Sequence, residues 1–281
     1  MTPGQEVVAV YGGAGARHSW WRVLLIGLFL YIIGVMVLAL TLNPNLFPTM
    51  VLLGNFLVPV TYVAFFYDHR RLSKLTMPTT ALSFFYGGVL GVFAAALLEP
   101  IFIARLTAVT VFKVGLIEEF AKILGVLVIA RHRRHDAELD GPILGAAAGM
   151  GFAALESNGY AFTAFLRSGG SLSVTVLVTL LRGLLAPIGH GIWTAILASV
   201  LFRESAAGRF CLNRKVVGAY LTVAILHGLW DGLPSALVAV VASGSDVMIG
   251  QTIVGATSLV ILGRRWREAK RLQLIGEGTA C

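Results

Sequence analysis

The sequence is short of charge. Only 13% of its 281 residues are Asp, Glu, Lys or Arg, where a soluble globular domain carries about 25%. Too few charges remain to cover a water-facing surface, and 57% of the residues are hydrophobic. Cysteine is scarce as well. Cys211 and Cys281 cannot build a disulfide framework or a CxxC zinc site, and Cys281 stands last, so it is no prenylation box. HExxH is absent, which excludes the common zincin arrangement, and the glycine runs at 12–15 and 168–170 carry no phosphate-binding pattern. No cleavable signal is evident. The first 22 residues are polar, Arg17 and Arg22 precede the first apolar run, and that run lacks a small-residue cleavage site. It reads as a retained first helix.

What the chain has in quantity is apolar segments of spanning length. They fall at about 23–42, 46–67, 80–98, 107–130, 142–166, 183–202, 217–241 and 247–263, each close to the ~20 residues needed to cross a bilayer. The expected fold is all-α, a polytopic membrane bundle of about eight transmembrane helices. The stretch 172–181 either extends the sixth helix or lies at the interface.

The net charge of +8 does not point to nucleic acid, because the basic residues sit in short runs between apolar stretches, as membrane topology requires. One side receives Arg17, Arg22, Arg70, Arg71, Lys74, Arg131, Arg133, Arg134, Arg203, Arg209, Arg214, Lys215, Arg264, Arg265, Arg267, Lys270 and Arg271, which is 17 of the 22 Lys and Arg. The other side receives Arg105 and Arg167. By the positive-inside rule both termini are cytoplasmic. His18, His69, His132 and His135 lie in the same basic loops and read as topology or headgroup residues.

Six ionisable residues contradict their apolar surroundings: Glu118, Glu119, Glu156, His190, His227 and Asp231. By insertion scales a basic residue or Asp at the bilayer centre costs about 2.5–3.5 kcal/mol, so such groups must face each other, water or a metal. Glu119, Glu156, His190 and His227 lie about 15–21 Å from the cytoplasmic ends of their helices at the helical rise, near the midplane of a hydrocarbon core about 30 Å thick. Glu118-Glu119-Phe120-Ala121-Lys122 is an EExxK run in which Glu118 and Lys122 are i,i+4 neighbours. It suits either a general base or a structural Lys-Glu pair. Phe152, Glu156 and Tyr160 share a stripe on the fifth helix, so Glu156 is either a core carboxylate accepting from Tyr160 or Asn158, or a ligand. Gly141, Gly145 and Gly149 precede it as a small-xxx-small face that permits close helix approach.

The two histidines stand in matching strings, His190-Gly191-Ile192-Trp193 and His227-Gly228-Leu229-Trp230, with Pro187 before one and Pro234 after the other. Pro and Gly loosen a membrane helix. Two histidines at one depth opposite several acids favour metal ligation over isolated hydrogen bonding. Asp231, one turn after His227, either accepts from its ring or binds the metal. Glu99, at a helix end, reads as interfacial, and Arg182 as snorkelling or paired with an acid. The same buried acids and histidines could also build a proton-coupled transporter.

EExxK at 118–122, FxxxE at 152–156 and HxxWD at 227–231, with His190 between them, resemble the PrsW family of intramembrane proteases over roughly 80–240. That family is similar in turn to the CAAX-prenyl endopeptidases and bacteriocin-immunity-type membrane proteases, where a histidine stands in place of Glu156 and an asparagine in place of Asp231. The resemblance implies a protease domain at 23–263 between cytoplasmic tails at 1–22 and 264–281, in a multi-pass protein of the bacterial cytoplasmic membrane. It implies lipid surroundings, no nucleic acid, and cleavage of a membrane-anchored substrate, as the family's type member cuts an anti-sigma factor. The favoured arrangement is Zn2+ held by Glu156, His190 and His227. One of Glu118 and Glu119 abstracts the proton, with Glu118 preferred. Asp231, Lys122, Tyr160, Asn158, Trp193 and Trp230 then form the surrounding support.

Overall fold

Nine α-helices and no strand make up the described residues of the computed structural model, which are 19–70, 72–107, 109–131, 138–205, 209–241 and 246–275, without the side chains of 234–241, 246–248 and 275. The expectations for Arg17, His18, Arg71, His132, Arg133, Arg134, His135 and Cys281 lie outside them. The helices are α1 (Trp20–Thr41), α2 (Phe47–Asp68), α3 (Met77–Phe102), α4 (Val111–Ala130), α5 (Asp140–Arg167), α6 (Leu172–Leu185), α7 (His190–Arg203), α8 (Arg214–Val241) and α9 (Asp246–Ile275), with a 3-10 turn at Ala186–Ile188. The all-α membrane bundle expected from the sequence is the observed fold. Among the described residues five stretches are long and apolar enough to cross a membrane: α1, α2, α3, Leu172–Arg203 and Arg214–Leu233. α4 interrupts its apolar run with Glu118, Glu119 and Lys122, and α5 is built largely of glycine and alanine.

α5 is the central helix. Residues 140–154 are buried on every face, because small side chains let backbones come close on two sides. On one side the Gly141, Gly145 and Gly149 face lies against α7. A Cβ there would meet the carbonyl oxygens of Ala198, Thr194 and His190 at 2.6, 2.5 and 2.2 Å. On the other side Gly151 faces α3, where an added Cβ would lie 1.9 Å from the Phe84 carbonyl oxygen. α4 packs on α3 and α8, so the EExxK helix closes the third side.

The sixth segment differs from its expected bounds of 183–202. It starts at Leu172, where Ser171 caps α6 by accepting from the Val174 N–H, and it breaks at Ala186–Ile188. Pro187 has no N–H to donate and its ring crowds the preceding turn, so the helix tightens into a 3-10 turn and restarts at His190. α9 continues past 263 through the basic run to Ile275. There Arg203 and Arg265 both pair with Glu268, and Trp266 meets Phe66 edge to face at 5.1 Å. Cys211 is disulfide-bonded.

Candidate metal centre

Four helices bring the predicted residues to one place. α4 supplies Glu118, Glu119 and Lys122, α5 supplies Glu156, the first turn of α7 supplies His190, and α8 supplies His227 and Asp231. Glu118, Glu119, Lys122, His190 and His227 are all buried. One ligand atom each from Glu118, His190 and His227 lies within 4.8 Å of the other two.

Lys122 sits at the centre of the hydrogen bonding. Its ammonium donates to Glu118 Oε2 at 3.1 Å, to Glu119 Oε1 at 2.8 Å and to His190 Nδ1 at 2.8 Å. An ammonium has no lone pair, so Nδ1 of His190 is the acceptor and the ring proton is on Nε2. That Nε2 faces Glu156 Oε2 at 3.1 Å. For His227 the roles of the ring atoms reverse. Nδ1 faces Glu119 Oε1 at 3.0 Å, which places the proton on Nδ1. Nε2 is left facing Glu118 Oε2 at 3.6 Å and Asp231 Oδ2 at 3.5 Å. Each imidazole therefore gives one N–H to a carboxylate and turns its other nitrogen toward Glu118, whose Oε2 is 3.8 Å from His190 Nδ1. This is how proteins orient metal-binding histidines.

Glu119 is fully engaged. Besides Lys122 and His227 it accepts from Thr194 Oγ1 at 3.2 Å. Thr194 lies one turn after His190 on the same helix face, a spacing that could have marked it in the sequence. Trp193 stacks on the His227 ring with centroids 4.6 Å apart and donates from Nε1 to Ser258 Oγ at 2.9 Å. Trp230 meets Trp193 edge to face at 5.9 Å. Glu156 takes its second partner from Arg182 on α6 at 2.5 Å, so Arg182 pairs with an acid. Asn158 turns away from Glu156 and accepts from Asn55 Nδ2 of α2 at 3.4 Å. Tyr160 lies under the Arg182 guanidinium.

A cavity of about 670 Å³ opens onto these groups. Its wall climbs from Glu118 through Val114 and Val111 of α4 to Thr107 and Leu106, away from the basic loops, and Arg182, Leu185, Trp230 and Asp231 also line it. Glu99, read from sequence as interfacial, lines the same cavity. The donors fit a divalent cation once the Lys122 ammonium, which holds the His190 Nδ1 lone pair here, gives that lone pair up to it. Two neutral imidazoles and a carboxylate are an ordinary zinc-type set. Around them Glu99, Glu118, Glu119, Glu156 and Asp231 outnumber Lys122 and Arg182 by five to two, an excess of carboxylates that a divalent ion would reduce.

No curated protein and no solved structure matches the chain. A family model for PrsW family intramembrane metalloproteases matches residues 76–262, the stretch that holds every residue of the centre. That selects a peptide-bond hydrolase acting on membrane proteins over the transporter, and this integral membrane protein belongs to the PrsW family of intramembrane metalloproteases.

Proposed function

We propose that Glu118, His190 and His227 hold a zinc ion, that Glu119 and Glu156 orient the two imidazoles, and that Asp231 is the base. The observation that carries this reading is the close Glu118–His190–His227 group, with the far nitrogen of each ring tied to a different carboxylate. The division of roles differs from the sequence expectation, which set Glu156 among the ligands and Glu118 as base. Here Glu156 Oε2 is shared by Arg182 and His190, whereas Glu118 faces the ring nitrogens that carry lone pairs. Zinc suits mixed nitrogen and oxygen donors and has no redox chemistry to control.

When bound, the metal lowers the pKa of a water and polarises the scissile carbonyl. Asp231 would take a proton from the attacking water. Its side chain lines the cavity, is 35% exposed and reaches within 3.5 Å of His227 Nε2. The proton then passes from Asp231 to the leaving amine. Thr194 and Lys122 hold Glu119 in place, and Trp193 backs the His227 ring, so the ligands are set before substrate arrives. The apolar upper wall, with Val111, Val114 and Leu185, accepts an unwound stretch of a membrane-anchored protein from the side away from the basic loops. On family likeness the substrate is an anti-sigma-factor-like regulator in the bacterial cytoplasmic membrane.

Elemental analysis and cleavage of a membrane-anchored reporter, run on the same purified variants, test these roles. The parent protein is expected to hold about one zinc per chain. Glu118→Gln loses metal and cleavage together. Asp231→Asn keeps its metal and loses about 10²–10⁴-fold in cleavage, the range of a general base. Full metal in an inactive Glu118→Gln would return Glu118 to the role of base and Glu156 to the ligand set.

The distribution of Lys and Arg supports a multi-pass topology with both termini in the cytoplasm. Reporters fused at each end should both read cytoplasmic. One terminus outside would mean an odd number of crossings.

A further inference from the structure

Arg182 makes three contacts with α5. Nη2 donates to Glu156 Oε2 at 2.5 Å, Nε donates to Ser157 Oγ at 2.9 Å, and Cζ lies 4.0 Å from the centroid of the Tyr160 ring. A planar guanidinium can donate along two directions while stacking on a third, which an ammonium cannot. The Glu156 oxygen that takes Arg182 is the one that faces His190 Nε2. Arg182 and His190 stand on opposite sides of the 3-10 turn at Ala186–Ile188. A continuous helix would hold two such residues in register through its hydrogen-bond ladder. Here Pro187 interrupts the ladder, and Gly189 has φ −98° and ψ −99°, far from helical. The Glu156 carboxylate, reaching across from α5, joins the two halves instead.

We propose that Arg182 is a positioning residue for the metal centre: it pins Glu156 across the break in the α6–α7 segment and so sets the His190 ring with Nδ1 toward Glu118. The inference rests on the reading in which His190 and His227 bind one metal. It assigns Arg182 a role beyond satisfying a buried acid. Loss of the guanidinium frees Glu156 to turn, and with it the His190 ring. Removing the group that orients a metal ligand typically weakens metal binding about 10–100-fold.

The test uses the full chain in detergent, titrated with cobalt(II) as a spectroscopic probe, with melting curves in parallel. Arg182→Met is expected to bind cobalt about 10–100-fold more weakly, with a changed absorption spectrum and a fall in kcat larger than any change in KM. Arg182→Lys should recover part of the loss, because its charge reaches Glu156 but cannot also hold Ser157 and stack on Tyr160. In a Glu156→Ala background Arg182→Met should cost nothing more, since the effect runs through Glu156. Cobalt affinity and spectrum unchanged in Arg182→Met, or additive losses in the double variant, overturn the proposal. If Arg182→Met does not fold, Arg182→Lys decides: an unchanged affinity and spectrum overturns the proposal, and a partial loss supports it. His227→Ala separates the two levels. If it keeps its metal, the site reading fails and Arg182's role fails with it. If it loses metal while Arg182→Met does not, only Arg182's role fails.

Discussion

His190→Ala and His227→Ala each empty the metal centre and lower reporter cleavage by about 10³-fold or more. Polarisation by a metal contributes several kcal/mol to the transition state, and each 1.36 kcal/mol is a factor of about ten. Potential ligand atoms of Glu118, His190 and His227 lie within 4.8 Å of one another, so one ion would engage all three and loss of either imidazole would leave only two donors. The double variant should be little worse than either single, because residues that act as a unit are not additive. Zinc affinity should also fall in acid, since only neutral imidazole binds. His227 is packed under Trp193 at 4.6 Å, and truncating it leaves a void. His227→Gln, which fills more of that space, therefore accompanies the alanine variant, and melting temperature is recorded for both. Full metal retained by either folded single variant contradicts a shared site.

Gly149→Ala should cost about as much activity as removing an orienting group, although Gly149 is not among the residues that line the cavity. A Cβ at 149 would stand 2.2 Å from the His190 carbonyl oxygen and 2.9 Å from Thr194 Oγ1. The nearer atom is backbone, so relief requires α7 to move away from α5. His190 and Thr194 move with it, one a proposed metal ligand and the other a donor to Glu119. A misplacement of about 1 Å can cost about 10²-fold in rate, and overpacking of this kind destabilises by about 1–3 kcal/mol. Gly159→Ala on the same helix is the control. Nothing lies within 4 Å of its added Cβ, so cleavage and melting temperature should stay near the parent values. Equal behaviour of the two variants would show that close approach of α5 to α7 does not set the site.

The residues of the centre were legible in the sequence because a bilayer makes polar groups conspicuous. Glu118, Glu119, Glu156, His190, His227 and Asp231 stood out against their segments, and helical rise placed most of them at one depth. The i,i+4 rule was enough to pair Glu118 with Lys122. The glycine repeat on α5 was visible as a packing face, and α7 lies against it. Thr194 passed unnoticed and Glu99 was read as interfacial, since neither breaks a local pattern.

Partner choice between helices needed the tertiary structure. Nothing in either HGxW string says that His190 turns Nδ1 inward and His227 Nε2, because that depends on Glu156 facing one ring and Glu119 the other. Nor does it say that Arg182 rather than Asn158 meets Glu156. The sequence by itself determined a bundle of membrane helices, its family likeness and the depth of its polar groups. These follow from hydrophobicity and from spacing along a single helix. The tertiary structure decided which carboxylate faces which imidazole nitrogen and which is open to the cavity. Those outcomes depend on the rotation and register of one helix against another, and side chains many residues apart in sequence set them by contact.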